Sequence, residues 1–217
     1  MTWSEQAWDR VSPIYTKILA LPFNTELSNG RLPIEKFVFY LAQDAYYLLE
    51  FGRTLSAISS RMQDADLVLA FAGFSIGAIF AERSLHESYF IEFGLDSRVQ
   101  PSPSTLLYTN YILSQAAYAN VEVAAAAVLP CFWIYKAVGD YIFAQQNGDQ
   151  NPYKRWIDMY AGAEFAAAVK KAIALTDQLA AGANAETREK MWLAFEMATR
   201  LEWMFWNSAY EQEKWKI

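Results

Sequence analysis

Apolar residues recur every three or four positions along most of the chain, and no stretch alternates convincingly with a period of two. The pattern therefore predicts helices throughout. Breaks between the apolar runs carry turn chemistry. "SNGR" stands just ahead of Pro33, a residue suited to a first helical turn. "RMQDAD", "FGLDSRVQPSPS", "QNGDQNP" and "AAGANAET" supply polar turns and fresh caps. The predicted helices cover about 3–21, 34–61, 65–93, 104–118, 121–146, 153–181 and 186–214. No linker or repeat divides residues 1–217, so the expected fold is all-α, a single-domain bundle of seven or so helices.

The same spacing exposes acids in unexpected company. Tyr40, Asp44, Tyr47 and Phe51 follow an i, i+4, i+7, i+11 progression and share one helical face. Phe195, Thr199, Glu202 and Trp206 do the same near the C-terminus. A carboxylate on an aromatic stripe is costly unless it is paired or hydrogen-bonded. Two readings stand side by side. Asp44 ends a hydrogen-bond network with a tyrosine and Glu202 pairs with Arg188 or Arg200, or both acids serve a functional site. Tyr160 lies on a stripe with Trp156, Ala163 and Ala167, where small residues leave room above its ring. For Tyr160 and Tyr108 an ordinary core role is the default.

Composition narrows the classes. The 217 residues are 54% hydrophobic with a formal net charge of −6, and no basic run suits nucleic acid or an anionic membrane surface. The charge-free stretch at 67–81 is shorter than the roughly 20 residues of a membrane span. It reads as part of a helix buried on most sides, with Gly73, Ser75 and Gly77 admitting close neighbours. A single cysteine and no signal-peptide pattern make the cytoplasm the expectation. One histidine cannot serve a di-iron or three-histidine zinc site, and no glycine-rich phosphate loop follows a strand, so no metal or nucleotide cofactor is expected. That histidine, His86, shares a face with Glu82, which suits a helix-to-helix hydrogen bond before it suits a catalytic base. Trp3, Trp8 and Trp215 offer either a partner surface or packing within the chain.

The lone cysteine sits in "VLPCFWIYK". Ala124, Val128, Cys131, Tyr135, Val138 and Ile142 form one stripe, and Pro130 removes a helical donor beside the thiol. Cys131 is either a buried core residue or a nucleophile. As a nucleophile it would need a base or a polarised substrate to activate it.

Six segments resemble the TenA/thiaminase II family. They are "LPIEKFVFYLAQDAYYLLEFGR", "ERSLHESYF", "PSPSTLLYTNYI", "LPCFWIYKAVGDYI", "NPYKRWIDMYAGAEF" and "LEWMFWNSAYEQE", which run in family order across essentially the whole chain. The resemblance implies a heme-oxygenase-like bundle without heme, assembled as a homotetramer and needing no cofactor. It implies a hydrolase that cleaves the methylene–amine bond of 4-amino-5-aminomethyl-2-methylpyrimidine, with intact thiamin a further family substrate. Cys131 places the chain in the cysteine-bearing group. By resemblance Cys131 is the nucleophile, Glu202 the acid and base at a ring nitrogen, and Asp44 the partner of the ring amino group. Tyr47, Tyr108, Tyr135, Tyr160 and Phe205 would line or hydrogen-bond the pocket. Ala163 departs from the family pattern, where a polar residue is expected. A non-catalytic pyrimidine-binding protein and an oxidase-type relative on the same fold are the alternatives.

Overall fold

A computed structural model describes residues 1–94, 100–146 and 150–217, except the side chains of residues 81, 82 and 84–86. The Glu82–His86 pairing, and parts of the turns around 95–99 and 147–149, lie outside the described residues. Among the described residues there are nine α-helices and no strand. In chain order they are α1 (Trp3–Leu19), α2 (Pro22–Ser28), α3 (Ile34–Ser59), α4 (Ala65–Phe93), α5 (Pro103–Tyr118), α6 (Val121–Gln145), α7 (Lys154–Ala161), α8 (Ala163–Gly182) and α9 (Ala185–Glu211).

Local chemistry accounts for many of the ends. Thr2 and Glu5 form a reciprocal capping box on α1. Asp64, Ser102 and Asn184 cap α4, α5 and α9 through their side chains. Pro22 and Pro103 occupy first-turn positions, where their missing N–H costs nothing. Gly94 ends α4 in the left-handed conformation, with φ of 62°.

Two boundaries differ from the sequence reading. The short helix α2 falls between the expected helices 3–21 and 34–61, because seven residues are too few to show a period. The expected helix 153–181 is broken at Gly162, whose extended backbone ends α7 and starts α8. A Cβ at Gly162 would stand 3.1 Å from the carbonyl oxygens of Asp158 and Met159, so the turn folds tightly onto the end of α7. The break also dissolves the stripe drawn through Tyr160. Trp156 and Tyr160 are buried, whereas Ala163 and Ala167 are exposed.

The centre of the bundle is α6, which packs against α9 and is further enclosed by α2, α3, α5, α7 and α8. It is long and apolar enough to cross a membrane, but most of that apolar surface is buried inside the protein. Its expected stripe from Ala124 to Ile142 is buried at every position. α6 remains helical through Pro130, which leaves the Ala126 carbonyl without its usual helical donor.

The expectation for 67–81 is overturned. α4 packs against α3 on one side, but Leu69, Ile76, Phe80 and Ile91 face outward at 58–85% exposure. Apolar residues occupy every face of this helix, so the sequence pattern could not say which face is buried. Of the three residues expected to admit close neighbours, only Ser75 meets α3. Gly52 receives Ile79, whose side chain would lie 3.0 Å from a Cβ there, and Ser75 Oγ donates 2.8 Å to the Gly52 carbonyl. Gly73 and Gly77 instead face open space.

The tryptophans pack within the chain. Trp3 is buried against Phe195, Trp8 stacks on Trp133 at 4.6 Å, and Trp215 donates to the Pro101 carbonyl while half-exposed.

Candidate active site

Three long helices deliver the residues singled out by spacing. On α3, Tyr40, Asp44, Tyr47 and Phe51 are all buried. On α9, Phe195, Thr199, Glu202 and Trp206 are wholly buried. Cys131 and Tyr135 come from the inward stripe of α6 and are likewise buried. Cys131 forms no disulfide.

The two acids have different surroundings. Asp44 Oδ2 accepts from the Tyr40 hydroxyl at 3.2 Å, and that hydroxyl accepts from Trp156 Nε1 at 3.1 Å. Asp44 thus has the tyrosine partner that a structural reading required. Its side chain also borders a cavity, so that partnership does not exhaust its position. Glu202 accepts from the Tyr108 hydroxyl through Oε1 at 2.7 Å, while Oε2 has no hydrogen-bond partner. Pairing with a surface arginine is excluded. Arg200 pairs with Glu196, and Arg188 donates to the Ala183 carbonyl.

Burial pushes Glu202 from the usual 4.5 up to about 8. The Tyr108 hydrogen bond opposes that rise, and the nearby Asp44 charge adds to it. The carboxyl therefore keeps its proton at neutral pH, although it has a hydroxyl donor. Burial also holds the phenols of Tyr47, Tyr108 and Tyr135 well above their ordinary value, so all three remain neutral. Cys131 lies close enough to Tyr47 and Tyr108 for its charge to contribute to their shifts.

A cavity of about 640 Å³ opens against this cluster. Asp44, Cys131, Tyr135 and Tyr160 form its buried wall. Their rings are ordered by packing. Tyr135 lies 5.0 Å from Tyr160 and 4.6 Å from Trp206, and Tyr160 lies 4.6 Å from Trp156. Gly139, one turn beyond Tyr135, allows the end of α7 to rest on α6. A Cβ at Gly139 would fall 2.8 Å from Tyr160 Cβ and 2.9 Å from its carbonyl carbon.

Glu202, Tyr47, Tyr108 and Phe205 do not line the cavity. They form the layer behind its wall. Tyr47 stacks on the lining residue Phe51 at 5.7 Å and lies 4.8 Å from Tyr108 and 5.6 Å from Phe205. Convergence is thus two-layered, with Asp44 and Cys131 at the surface of the cavity and Glu202 beneath. Sequence reasoning did not select Phe51 or Tyr40 for the site, though both stood on the stripe that revealed Asp44. It gave no sign that Phe74, Gly73 and Gly77 of α4 or Phe165 of α8 border the same space. Among the described residues, no three His, Cys, Asp or Glu side chains gather closely enough to hold a metal ion.

Comparison with known proteins agrees with this arrangement at the level of fold and family. The solved TenA homologue from P. horikoshii OT3 superposes with a TM-score of 0.88 over 97% of this chain and 99% of its own, at 24% identity. A Shewanella denitrificans domain described as having a heme oxygenase-like fold superposes with a TM-score of 0.76 over 94% of this chain and 90% of its own, at 13% identity. Among curated relatives, the thiamine biosynthesis multifunctional protein ThiED of Corynebacterium efficiens is 36% identical over 84% of this chain. The match covers only 25% of that longer protein, so the chain spans about a quarter of the multifunctional relative. The aminopyrimidine aminohydrolase of Bacillus subtilis is 30% identical over 99% of this chain and 92% of its own length. A profile of the TENA/THI-4/PQQC family matches residues 8–212, and the chain belongs to that family.

Proposed function

We propose that the protein is a thiamin-salvage hydrolase that cleaves the methylene–amine bond of 4-amino-5-aminomethyl-2-methylpyrimidine, and of thiamin, to give the hydroxymethyl pyrimidine. The observation that carries this reading is the meeting of Cys131 and Asp44 on one aromatic-walled cavity with a protonated Glu202 behind them. The name of the near-full-length Bacillus subtilis relative supports the same reaction class.

The chemistry follows from what each group can do. An amine on a ring methylene is a poor leaving group for direct displacement. Protonation of a ring nitrogen makes the ring electrophilic. Glu202 holds a proton for this purpose up to about pH 8, and because it stands behind the lining, the pyrimidine must seat past the wall formed by Asp44, Cys131 and Tyr135 to receive it. The Cys131 sulfur then adds to a ring carbon, its own proton passes to the departing nitrogen, and aromaticity is lost. The electrons released expel the amine as ammonia and leave an exocyclic methylene. Water adds its hydroxyl at that methylene and returns a proton to the site. The ring expels sulfur and regains aromaticity, so covalent catalysis divides one hard step into easier ones. Asp44 receives the ring amino group. Tyr135 and Tyr160 flank the flat heterocycle, while Tyr47, Tyr108 and Phe205 hold the layer that carries Glu202. The sequence as drawn needs no cofactor.

The whole chain acts as one TenA-type domain in the cytoplasm, and it assembles as a homotetramer. The outward apolar residues of α4 support assembly, since Leu69, Ile76, Phe80 and Ile91 are all largely exposed in one chain. The test is incubation with the aminomethyl pyrimidine, its N-formyl form and thiamin, assaying ammonia and hydroxymethyl pyrimidine separately. Hydroxymethyl pyrimidine is the expected product. Tight binding without turnover of any of the three would replace the hydrolase by a pyrimidine-binding protein.

A further inference from the structure

The two buried acids meet different donors. Glu202 takes one bond, from Tyr108, and its Oε2 has no hydrogen-bond partner. Asp44 ends a chain of two bonds that begins on another helix. Trp156 of α7 donates from Nε1 to the Tyr40 hydroxyl at 3.1 Å, and that hydroxyl donates to Asp44 Oδ2 at 3.2 Å. Trp156 and Tyr40 have no exposed surface, and neither lines the cavity.

The chain has a direction. An indole N–H can only donate, so the Tyr40 oxygen accepts from Trp156 and passes its own proton onward to Asp44. An ionised carboxylate is the acceptor that completes this order. A hydroxyl that already accepts a hydrogen bond also donates a stronger one. Packing holds the rings in place. Tyr40 meets Phe23 at 5.1 Å and Phe205 at 5.9 Å, and Trp156 meets the lining residue Tyr160 at 4.6 Å. A ring that only filled space at position 40 would be better served by phenylalanine, which buries no hydroxyl.

We infer that Trp156 and Tyr40 are positioning residues for Asp44, which together hold its carboxylate as a fixed, charged acceptor for the ring amino group of the pyrimidine. The inference rests on the pyrimidine substrate of the hydrolase reading and adds two residues outside the cavity lining. An amino group donates and an ionised carboxylate only accepts, so the two are complementary. Neighbouring acids in opposite states are what a proton donor and an amino-group acceptor require. The titratable groups that face Asp44 from other elements are Glu202 of α9, Cys131 and Tyr135 of α6 and Tyr160 of α7, with Tyr108 of α5 bound to Glu202. Asp158 and Glu164 border the same cavity but are exposed, and the described lining residues of α4 carry no titratable group.

The test follows binding of hydroxymethyl pyrimidine, and kcat/KM for the aminomethyl pyrimidine, against pH in wild type, Tyr40→Phe, Trp156→Phe and the double variant. Tyr40→Phe removes the donor and keeps the ring. It is expected to weaken binding and raise KM about 3–10-fold near neutral pH, with kcat changed less. The acid limb is expected to move to higher pH by about one unit, because the charged form loses a hydrogen bond. The alkaline limb belongs to Glu202, whose own donor Tyr108 is untouched, and is expected to stay. Trp156→Phe is expected to move the acid limb in the same direction by less. The double variant is expected to move it no further than Tyr40→Phe, because the indole acts through the hydroxyl. An acid limb in Tyr40→Phe that coincides with wild type, whatever its Tm, would overturn the inference. So would shifts that add in the double variant. Trp156→Phe loses volume, and if it does not fold, Tyr40→Phe decides alone. Wild type that binds the pyrimidine without hydrolysing it would refute the hydrolase reading, and the acid limb of binding would still decide the inference. Wild type that neither binds nor hydrolyses it would refute both.

Discussion

The inner and outer walls of the cavity are built on opposite principles. The inner wall is crowded, aromatic and buried, with polar groups tied into hydrogen bonds: Trp156 to Tyr40 to Asp44, and Tyr108 to Glu202. The outer wall is small, partly exposed and unpacked at Gly73 and Gly77. The first arrangement holds its polar groups in place and shifts their proton affinities. The second leaves room. Crowding and openness are thereby placed on different helices, so substitutions should separate their effects.

The largest effect is expected at Cys131. Cys131→Ser keeps the volume and removes the sulfur nucleophile, and kcat should fall by about 10⁴-fold or more with the fold retained. Circular dichroism and pyrimidine binding would check that the variant is folded and occupied. Activity near that of wild type would remove the thiol from the mechanism.

Glu202→Gln should lower kcat on the order of 10²–10⁴-fold, because the amide cannot donate a proton in the same way. The same variant tests the electrostatics independently of activity. The carboxyl binds its proton up to about pH 8 when folded, against 4.5 ordinarily. Its contribution to stability is fully present below about pH 4.5 and is lost as pH rises through about 8. The Tm of Glu202→Gln relative to wild type should therefore increase from pH 5 to pH 9. A pH-independent difference would show that the carboxyl is not held protonated. In wild type, kcat should decline above about pH 8 as the acid form is lost.

Gly139→Ala should destabilise the protein by about 1–3 kcal/mol, since the added methyl meets Tyr160 at its Cβ and backbone and cannot be accommodated by a flexible side chain. Denaturant unfolding reads this directly. KM should rise as well, because Tyr160 borders the cavity. The smallest effect is expected from Tyr108→Phe. The Tyr108 hydroxyl holds Glu202 below the value that burial alone would give. Its removal should move the alkaline limb of the kcat profile to higher pH, and a shift to lower pH would contradict the assigned polarity.

The difference between the walls also explains what the sequence could reveal. Asp44 and Glu202 were conspicuous because each interrupts an aromatic stripe with helical period, and every residue of both stripes proved buried. Cys131 sat on a third such stripe and is buried with it. Depth was not legible. Spacing puts Glu202 on an inward face but cannot say that Tyr47, Tyr108 and Phe205 stand with it behind the wall. The outer wall left no periodic trace. α4 is apolar on all sides, so its exposed face and its cavity-facing glycines could not be distinguished from a buried helix. The break at Gly162 was hidden for a related reason. A glycine inside a helical pattern is tolerated often enough that only the tight fold onto Asp158 and Met159 reveals its role.

The central claim is that the thiol of Cys131 bonds to the substrate while Glu202 supplies the proton. Rapid acid quench of wild type with the aminomethyl pyrimidine, followed by intact-mass measurement and peptide mapping, tests it most directly. The account predicts a transient adduct on the peptide carrying Cys131, with the mass of substrate less ammonia, that forms and decays at rates compatible with turnover and is absent from Cys131→Ser. Product formation at the full rate by Cys131→Ser, with no adduct in wild type at any time, would contradict it.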